Sequence, residues 1–498
     1  MYNNSMALVK YKKLLVLLQK WSPYVICFIF FLAYSVLSVV RHNHYQSFGF
    51  DLGINDQVIW EYSKFHAPIT TIDHIAFIPK LFVHVELIFL LFVPFYWIWA
   101  DPRVLLVLQA AIVCFSGIAV FLLAKRYKLH PWLSFALLMS YLLFYGIQNG
   151  LWFDFHSAVI ATAFCAWFIY FLISEKNKWA ILFFLLTILS KENFAAITFL
   201  VCGVYFLVSR KKSAIYFALA SVVYELFIFE VYFNYFVPGG YQFANINGMF
   251  ANLDPRLMYS TAEKRSVYLY TLLSYGFLPL LNPIYLLPVL GDLASYFILA
   301  ATKVSGAQGL FLQYRAELVP LMSWATIATI AKYKWLNTKW VAVYLFVSIL
   351  AVQYLLHLPL SYLTKKWFWT TPSGVKNINE VLIYLPKDAS VVTQDNIIPH
   401  ISERFNIFTL YPNRKGFVKN SPCGRSACDW FRWVGEPQYM VVDTSPEWNI
   451  LHLTQDRSTF LQALHNIEAY HLVTPIKQIG SATLFKINKN PDTLRPIR

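Results

Sequence analysis

Long apolar runs broken by short polar connections fill the chain from residue 22 to residue 358, and a different pattern follows. The runs cover 22–40, 85–100, 103–124, 130–147, 158–174, 179–191, 194–209, 213–236, 268–283, 285–302, 317–332 and 339–358. A helix of ~18 or more such residues crosses ~30 Å of hydrocarbon, with every backbone N–H and C=O satisfied inside the segment. The run VELIFLLFVPFYWIWA (85–100) is short, aromatic-rich and interrupted by Pro94. It reads as interfacial or half-buried rather than spanning. Setting it aside leaves about 11 spans. From about Ser373, short β-rich runs, SVVTQ (390–394), NIFTL (406–410) and YMVVD (439–443), alternate with helical stretches, NIIPHISER and STFLQALHNIEAY. That alternation predicts a small α/β domain. The fold class is an α-helical polytopic membrane protein with a C-terminal α/β domain. Its parts are a tail at 1–20, a membrane domain at 21–363 with a large loop at 41–102, and a domain at 364–498.

Composition agrees. Of 498 residues, 58% are hydrophobic and 13% charged, about half the charged share of a soluble globular protein. The first run, Trp21 to Val40, is too long for a signal-peptide core and lacks a small-residue cleavage site before Arg41. It reads as a first span preceded by the basic tail Lys10, Lys12, Lys13 and Lys20. The formal charge of +15 is dispersed over short loops, which fits membrane topology and argues against nucleic acid as a partner. Cys27, Cys114, Cys165 and Cys202 lie in apolar segments, where thiols act as packing groups. Cys423 and Cys428 lie in the polar tail and are positioned to form a disulfide if that tail is outside the cytosol.

The basic clusters set the orientation. With 85–100 not spanning, KRYK (125–128), EKNK (175–178), SRKK (209–212) and AKYKWLNTK (331–339) share the side of the N-terminus, which is then cytoplasmic. Lys365 and Lys366 run against this trend. The opposite-side loops are 41–84, QNGLWFDFHS (148–157), SKEN (190–193), 237–256 and GAQGLFLQYRAE (306–317). On this reading they and the C-terminal domain are extracytoplasmic. Acids, histidines and amides that interrupt membrane segments are costly and mark pathways, binding or catalysis.

Asp51 and Asp56, in FDLGINDQVIW, follow directly on the first span. Asp51 reads either as the N-cap of a helix beginning near Leu52 or as a carboxylate facing an active site, supported by Asp56 or Gln57. His84 and Glu86 open the aromatic segment, as headgroup anchors or as phosphate or metal ligands. In WFDFH, Asp154 and His156 make a carboxylate–imidazole pair suited to placing a proton or a metal. Lys191 and Glu192 of SKEN form a simple interfacial pair or leave the lysine for a phosphate. Tyr314, Arg315 and Glu317 precede a later span, and a guanidinium engages two phosphate oxygens at once. Glu225 and Glu230 lie inside the run 213–236.

As an ordered set, FDLGINDQVIW, HVE, WFDFH, SKEN, QYRAELVP, VVTQDNIIPHISER and YMVVD resemble the DUF2079 family of bacterial and archaeal membrane proteins, over roughly residues 45–445. SKEN stands where that family more often has Lys-Glu-Asp, and QYR where a His-Tyr pair is more usual. More distantly, the plan resembles the GT-C superfamily of integral-membrane glycosyltransferases, through a first helix, a large external loop with an early acid, and a C-terminal external domain. That resemblance implies a bacterial inner-membrane enzyme that takes a sugar from a polyprenyl-phosphate donor to a glycan, lipid or protein acceptor, with membrane lipids as its surroundings. It implies Asp51 as catalytic base, Asp56, Gln57, Asp154, His156 and Glu192 in support, and Lys191, Arg315, Tyr314 and His84 on the donor phosphate. A divalent metal, if used, has Asp51, His84, Glu86, Asp154 and His156 as candidate ligands. Trp60, Trp152 and Phe153 would stack on sugar or prenyl faces. Two other plans compete. A lipid or small-solute transporter or flippase would use Glu225 and Glu230, and a non-catalytic assembly protein would bind a partner through its external domain.

Overall fold

A computed structural model describes residues 2–72, 77–241, 254–299, 307–412, 429–449, 453 and 456–489. Cys423 and Cys428 lie outside the described residues. The chain divides into two compact units, one formed by 1–38, 84–88 and 106–363, the other by 39–83, 89–105 and 364–498.

The first unit is helical. Among the described residues five helices are long and apolar enough to cross a membrane: Trp21–Asn43, Pro102–Arg126, Pro131–Trp152, Lys212–Phe236 and Lys339–Leu356. Shorter apolar helices cover Ser157–Ile173, Asn177–Ile188, Phe194–Ser209 and Pro283–Ile298. Proline stands at the first position of the helix at Pro131 and of that at Pro102, where its missing N–H removes nothing from the helical ladder. Thr338 and Thr261 cap the helices that follow them, accepting N–H bonds from Val341 and Lys264. Hydropathy does not say which helix is central, because lipid tails are as apolar as leucine. Packing does. The helix Leu318–Lys332 is buried continuously from Leu318 to Ile330, whereas only 17% of the window in Lys212–Phe236 is buried. The run 85–100 breaks into a 3-10 stretch, Leu87–Leu91, and a four-residue α-turn, Val93–Tyr96. It is not a spanning helix.

The second unit has a short hairpin, β1 (Ile69–Thr70) with β2 (Ile78–Pro79), and a five-stranded sheet. The sheet uses β3 (Val391–Thr393), β4 (Ile407–Thr409), β7 (Tyr439–Asp443), β8 (Val473–Ile479) and β9 (Ala482–Ile487) in the order β4-β3-β7-β9-β8. A separate pair joins β5 (Tyr411–Pro412) to β6 (Phe431–Arg432). β3 is parallel to β4 and to β7, with Val391 opposite Ile407 and Tyr439, and the remaining pairings are antiparallel. The parallel strands β3 and β4 are buried at every residue, as strands covered on both faces must be. The three strands expected from the sequence form, and Arg457–Ala469 is helical. NIIPHISER is not a helix: only Ile398–His400 makes a 3-10 turn, with Pro399 unable to donate to a longer ladder.

The early loop is sewn into this unit. Thr71 Oγ1 donates to the Ile407 carbonyl at 2.7 Å and accepts the Ile407 N–H at 3.2 Å. Thr409 Oγ1 donates to the Ile72 carbonyl at 2.6 Å, and Tyr45 donates to Asn379 at 2.7 Å. Tyr45, Ile54 and Ile72 belong to the same buried apolar cluster as the sheet strands.

Candidate functional site

In the first unit, four interrupted segments bring polar side chains together. His84 Nδ1 lies 2.6 Å from Glu192 Oε1, and the other oxygen of Glu192 accepts the Val85 N–H at 3.3 Å. Tyr241 donates to Glu192 Oε1 at 2.9 Å. Burial alone would raise the Glu192 carboxyl. The charge and hydrogen bond of His84, with Lys191 nearby, reverse this and hold it at about 2. Glu86 accepts the Ser157 hydroxyl. The sequence pairing of Lys191 with Glu192 is replaced by an imidazole–carboxylate pair, because the turn before Phe194 buries Glu192 and leaves Lys191 half-buried.

Asp154 adopts a left-handed backbone, φ +68°, a costly conformation for a non-glycine residue. Gln109 clamps that turn, donating to the Asp154 carbonyl at 2.8 Å and accepting the His156 N–H at 2.8 Å. The His156 ring stacks on Phe153 and its Nε2 is 2.6 Å from the Phe153 carbonyl oxygen. Asp154 and His156 thus serve one turn.

Arg315 is fully buried, not a snorkelling interfacial arginine. Its guanidinium lies over the rings of Tyr296 (4.7 Å) and Phe297 (5.5 Å) and donates to the Ala307 carbonyl at 2.5 Å. Among the described residues its Nε and Nη1 have no hydrogen-bond partner. Tyr314 packs on Tyr296 at 5.3 Å. Glu317 accepts hydrogen bonds from Tyr296 (2.9 Å) and from Asn193 (3.1 Å), the residue after Glu192. Glu192, Asn193, Glu317 and Arg315 therefore form one connected polar neighbourhood. Asp292 and Tyr296 were not anticipated as members; the signal available was a single acid, in VLGDL, within an apolar run. Glu225 is half-buried and Glu230 exposed, with Asn234 3.4 Å from the Glu230 carboxylate.

The second unit holds Asp51, Asp56 and Gln57. Asp51 does not cap a helix: it sits inside a π-helical turn, Gly49–Gly53, that runs into the helix Ile54–Ser63. The turn is anchored on the loop after β3, with Gly49 N–H to the Asp395 carbonyl at 2.9 Å and Phe50 N–H to Asp395 Oδ1 at 3.2 Å. Any side chain at Gly49 or Gly53 would meet Ile398 within 2.9 Å or 2.7 Å. Asp51 is half-buried and Asp56 fully buried, as the five-residue spacing allows. Asp56 accepts hydrogen bonds from Ser402 (2.7 Å) and from Tyr96. Burial outweighs these donors and, with the Asp101 charge, pushes its carboxyl up to about 7. The neighbouring Glu403 is pushed up to about 9 by burial and then by the charges of Asp56 and Asp101. Gln57 donates to Thr71 (2.9 Å) and to the Arg404 carbonyl (3.0 Å), so its role is to tie the loop down. Tyr45 and His42 also stack against His400, at 3.6 Å and 4.1 Å between ring centres.

Among the described residues no three His, Cys, Asp or Glu side chains gather as a metal-binding set. His84 is engaged with Glu192, Glu86 with Ser157 and His156 with Phe153. With this ordered set of segments placed, residues 41–465 match the family described as predicted membrane protein (DUF2079). The chain belongs to the DUF2079 family. The match runs from the end of the first span into the helix Arg457–Ala469 and includes every site residue named here. With its apolar helices, this DUF2079 protein is an integral membrane protein. No curated protein matches the chain.

Proposed function

We propose that this DUF2079 protein is a membrane glycosyltransferase of GT-C-like plan, taking a sugar from a polyprenyl-phosphate donor to an extracytoplasmic acceptor, with the longer and shorter apolar helices together making about 11 spans. The observation that carries the reading is the setting of Asp51. A half-buried carboxylate stands in a π-helical turn held between two glycines and anchored by two N–H bonds to Asp395, and such turns are frequent at functional sites. Asp51 takes the proton of the acceptor hydroxyl as that oxygen attacks the anomeric carbon, and the phosphate departs with the prenyl chain. Lys191, Tyr314 and Arg315, whose Nε and Nη1 have no hydrogen-bond partner among the described residues, are the groups assigned to phosphate. His84 is committed to Glu192 and supports the fold of that neighbourhood instead.

A second reading, a transporter, is favoured by the buried ionisable side chains Asp292, Arg315 and Glu317 in the membrane unit. The deciding experiment gives purified protein radiolabelled polyprenyl-phosphate sugars and membrane extract. Label leaving the lipid with wild type and not with Asp51→Asn supports transfer. Label crossing sealed vesicles chemically unchanged, with D51N still active, supports transport.

A further inference from the structure

The membrane unit buries more acid than its donors satisfy. Asp292, on the helix Leu287–Ala294, is 1% exposed. Among the described residues no hydrogen-bond donor and no ion pair reaches either of its carboxyl oxygens. An ionised carboxylate removed from water without donor or counter-ion is so costly that the group neutralises instead. The helix carrying Asp292 packs on the helix Leu318–Lys332, and the carboxyl of Glu317, which caps that helix and is itself fully buried, acts on Asp292 at close range. Two facing carboxyl groups in such a place do not both ionise.

The two acids are not equivalent. Glu317 collects the Tyr296 hydroxyl and the Asn193 amide, donors that favour its charged form. Asp292 collects none. Arg315 contributes one positive charge to the same cluster from its place on the Tyr296 and Phe297 rings. One proton held between the acids leaves the cluster neutral.

We propose that Asp292 and Glu317 form a proton-binding site in the membrane unit: Asp292 carries the proton and donates it to Glu317, whose remaining charge Arg315 balances. A proton fits better than a metal ion. Tyr296 and Asn193 turn hydrogens towards Glu317 and occupy lone pairs a metal would need, and no third metal-binding side chain joins the pair among the described residues. The inference stands whether the unit transfers sugar or moves solute.

Infrared difference spectroscopy on the full-length protein at neutral pH tests it. The wild-type minus Asp292→Asn spectrum separates this group from the raised carboxyls of Asp56 and Glu403. It should show one protonated-carboxyl band, shifted in heavy water. Asp292→Glu, which keeps the acid, should retain a protonated band at a changed frequency. D292N should melt no lower than wild type, since its amide can donate to Glu317, whereas Glu317→Gln should melt lower because it strips Arg315 of its counter-charge. A difference spectrum containing only carboxylate bands overturns the proposal. So does a rise in melting temperature with sodium or potassium in wild type that D292N lacks.

Discussion

Gly146 lies so close to Arg315 that a methyl group on its Cα would come within 2.3 Å of the Arg315 carbonyl oxygen. This approach seats the turn Gln313–Arg315 against the helix Tyr145–Trp152 and so fixes where the buried guanidinium sits. Alanine in mid-helix normally gains about 1 kcal/mol over glycine, but overlap with backbone costs about 1–3 kcal/mol. Gly146→Ala should therefore lower the melting temperature in detergent. Gly203→Ala, with nothing within 4 Å of its added carbon, should leave it unchanged or raise it.

Acid should loosen the first unit through Glu192. Its carboxyl, at about 2 in the folded chain against an ordinary 4.5, contributes stability that is full above 4.5 and lost as pH falls towards 2. The span corresponds to about 3 kcal/mol. Melting curves between pH 5 and 2.5 should show wild type losing more stability than Glu192→Gln, and equal losses would refute the His84–Glu192 assignment.

Alkali should act on the second unit in the opposite sense. Asp56 and Glu403 are raised to about 7 and about 9, so folding binds protons that the unfolded chain releases above ordinary carboxylate values. Stability then declines as pH rises from about 4 through 9, by up to about 1.4 kcal/mol per pH unit for each proton. Glu403→Gln should flatten the upper part of that decline, and Asp56→Asn the lower. A profile unchanged in both variants rules out this origin.

The anchoring of the Asp51 turn predicts a local effect. Asp395→Ala keeps the backbone carbonyl bond to Gly49 and removes the side-chain bond to Phe50, worth about 1 kcal/mol. Gly53→Ala instead forces a side chain against Ile398. Amide exchange at residues 49–53 should quicken modestly in the first and strongly in the second, while exchange in β8 and β9 stays put. Equal protection in wild type and G53A would show that the glycine is not required for the fit.

Local chemistry was legible along the chain; its long-range pairing was not. The long apolar runs announced the membrane helices, Pro94 marked 85–100 as broken, and NIFTL and YMVVD became strands. Of the two readings the sequence leaves open for Asp51, the capping one fails, because the residue lies inside a π-helical turn that runs into the helix. NIIPHISER kept a helical pattern while packing Ile398 against Gly49 and Gly53 instead. Nothing near Glu192 in sequence names His84 as its partner, 108 residues away, and nothing in VLGDL points to Glu317. Such pairings depend on which helices become neighbours, and uniformly apolar helices carry little record of that.

The Thr71–Ile407 bonds join residues 336 positions apart. During synthesis, the segment around Thr71 is made long before the strand that completes it, and the whole set of helices from 106 to 363 must be produced in between. Until then the Thr71 hydroxyl and the Ile72 carbonyl lack the Ile407 and Thr409 partners they have in the folded unit. A ribosome stalled after residue 363 but before β4 leaves a chain whose membrane helices are made and whose second unit cannot close, which gives quality control a clear mark of an unfinished molecule.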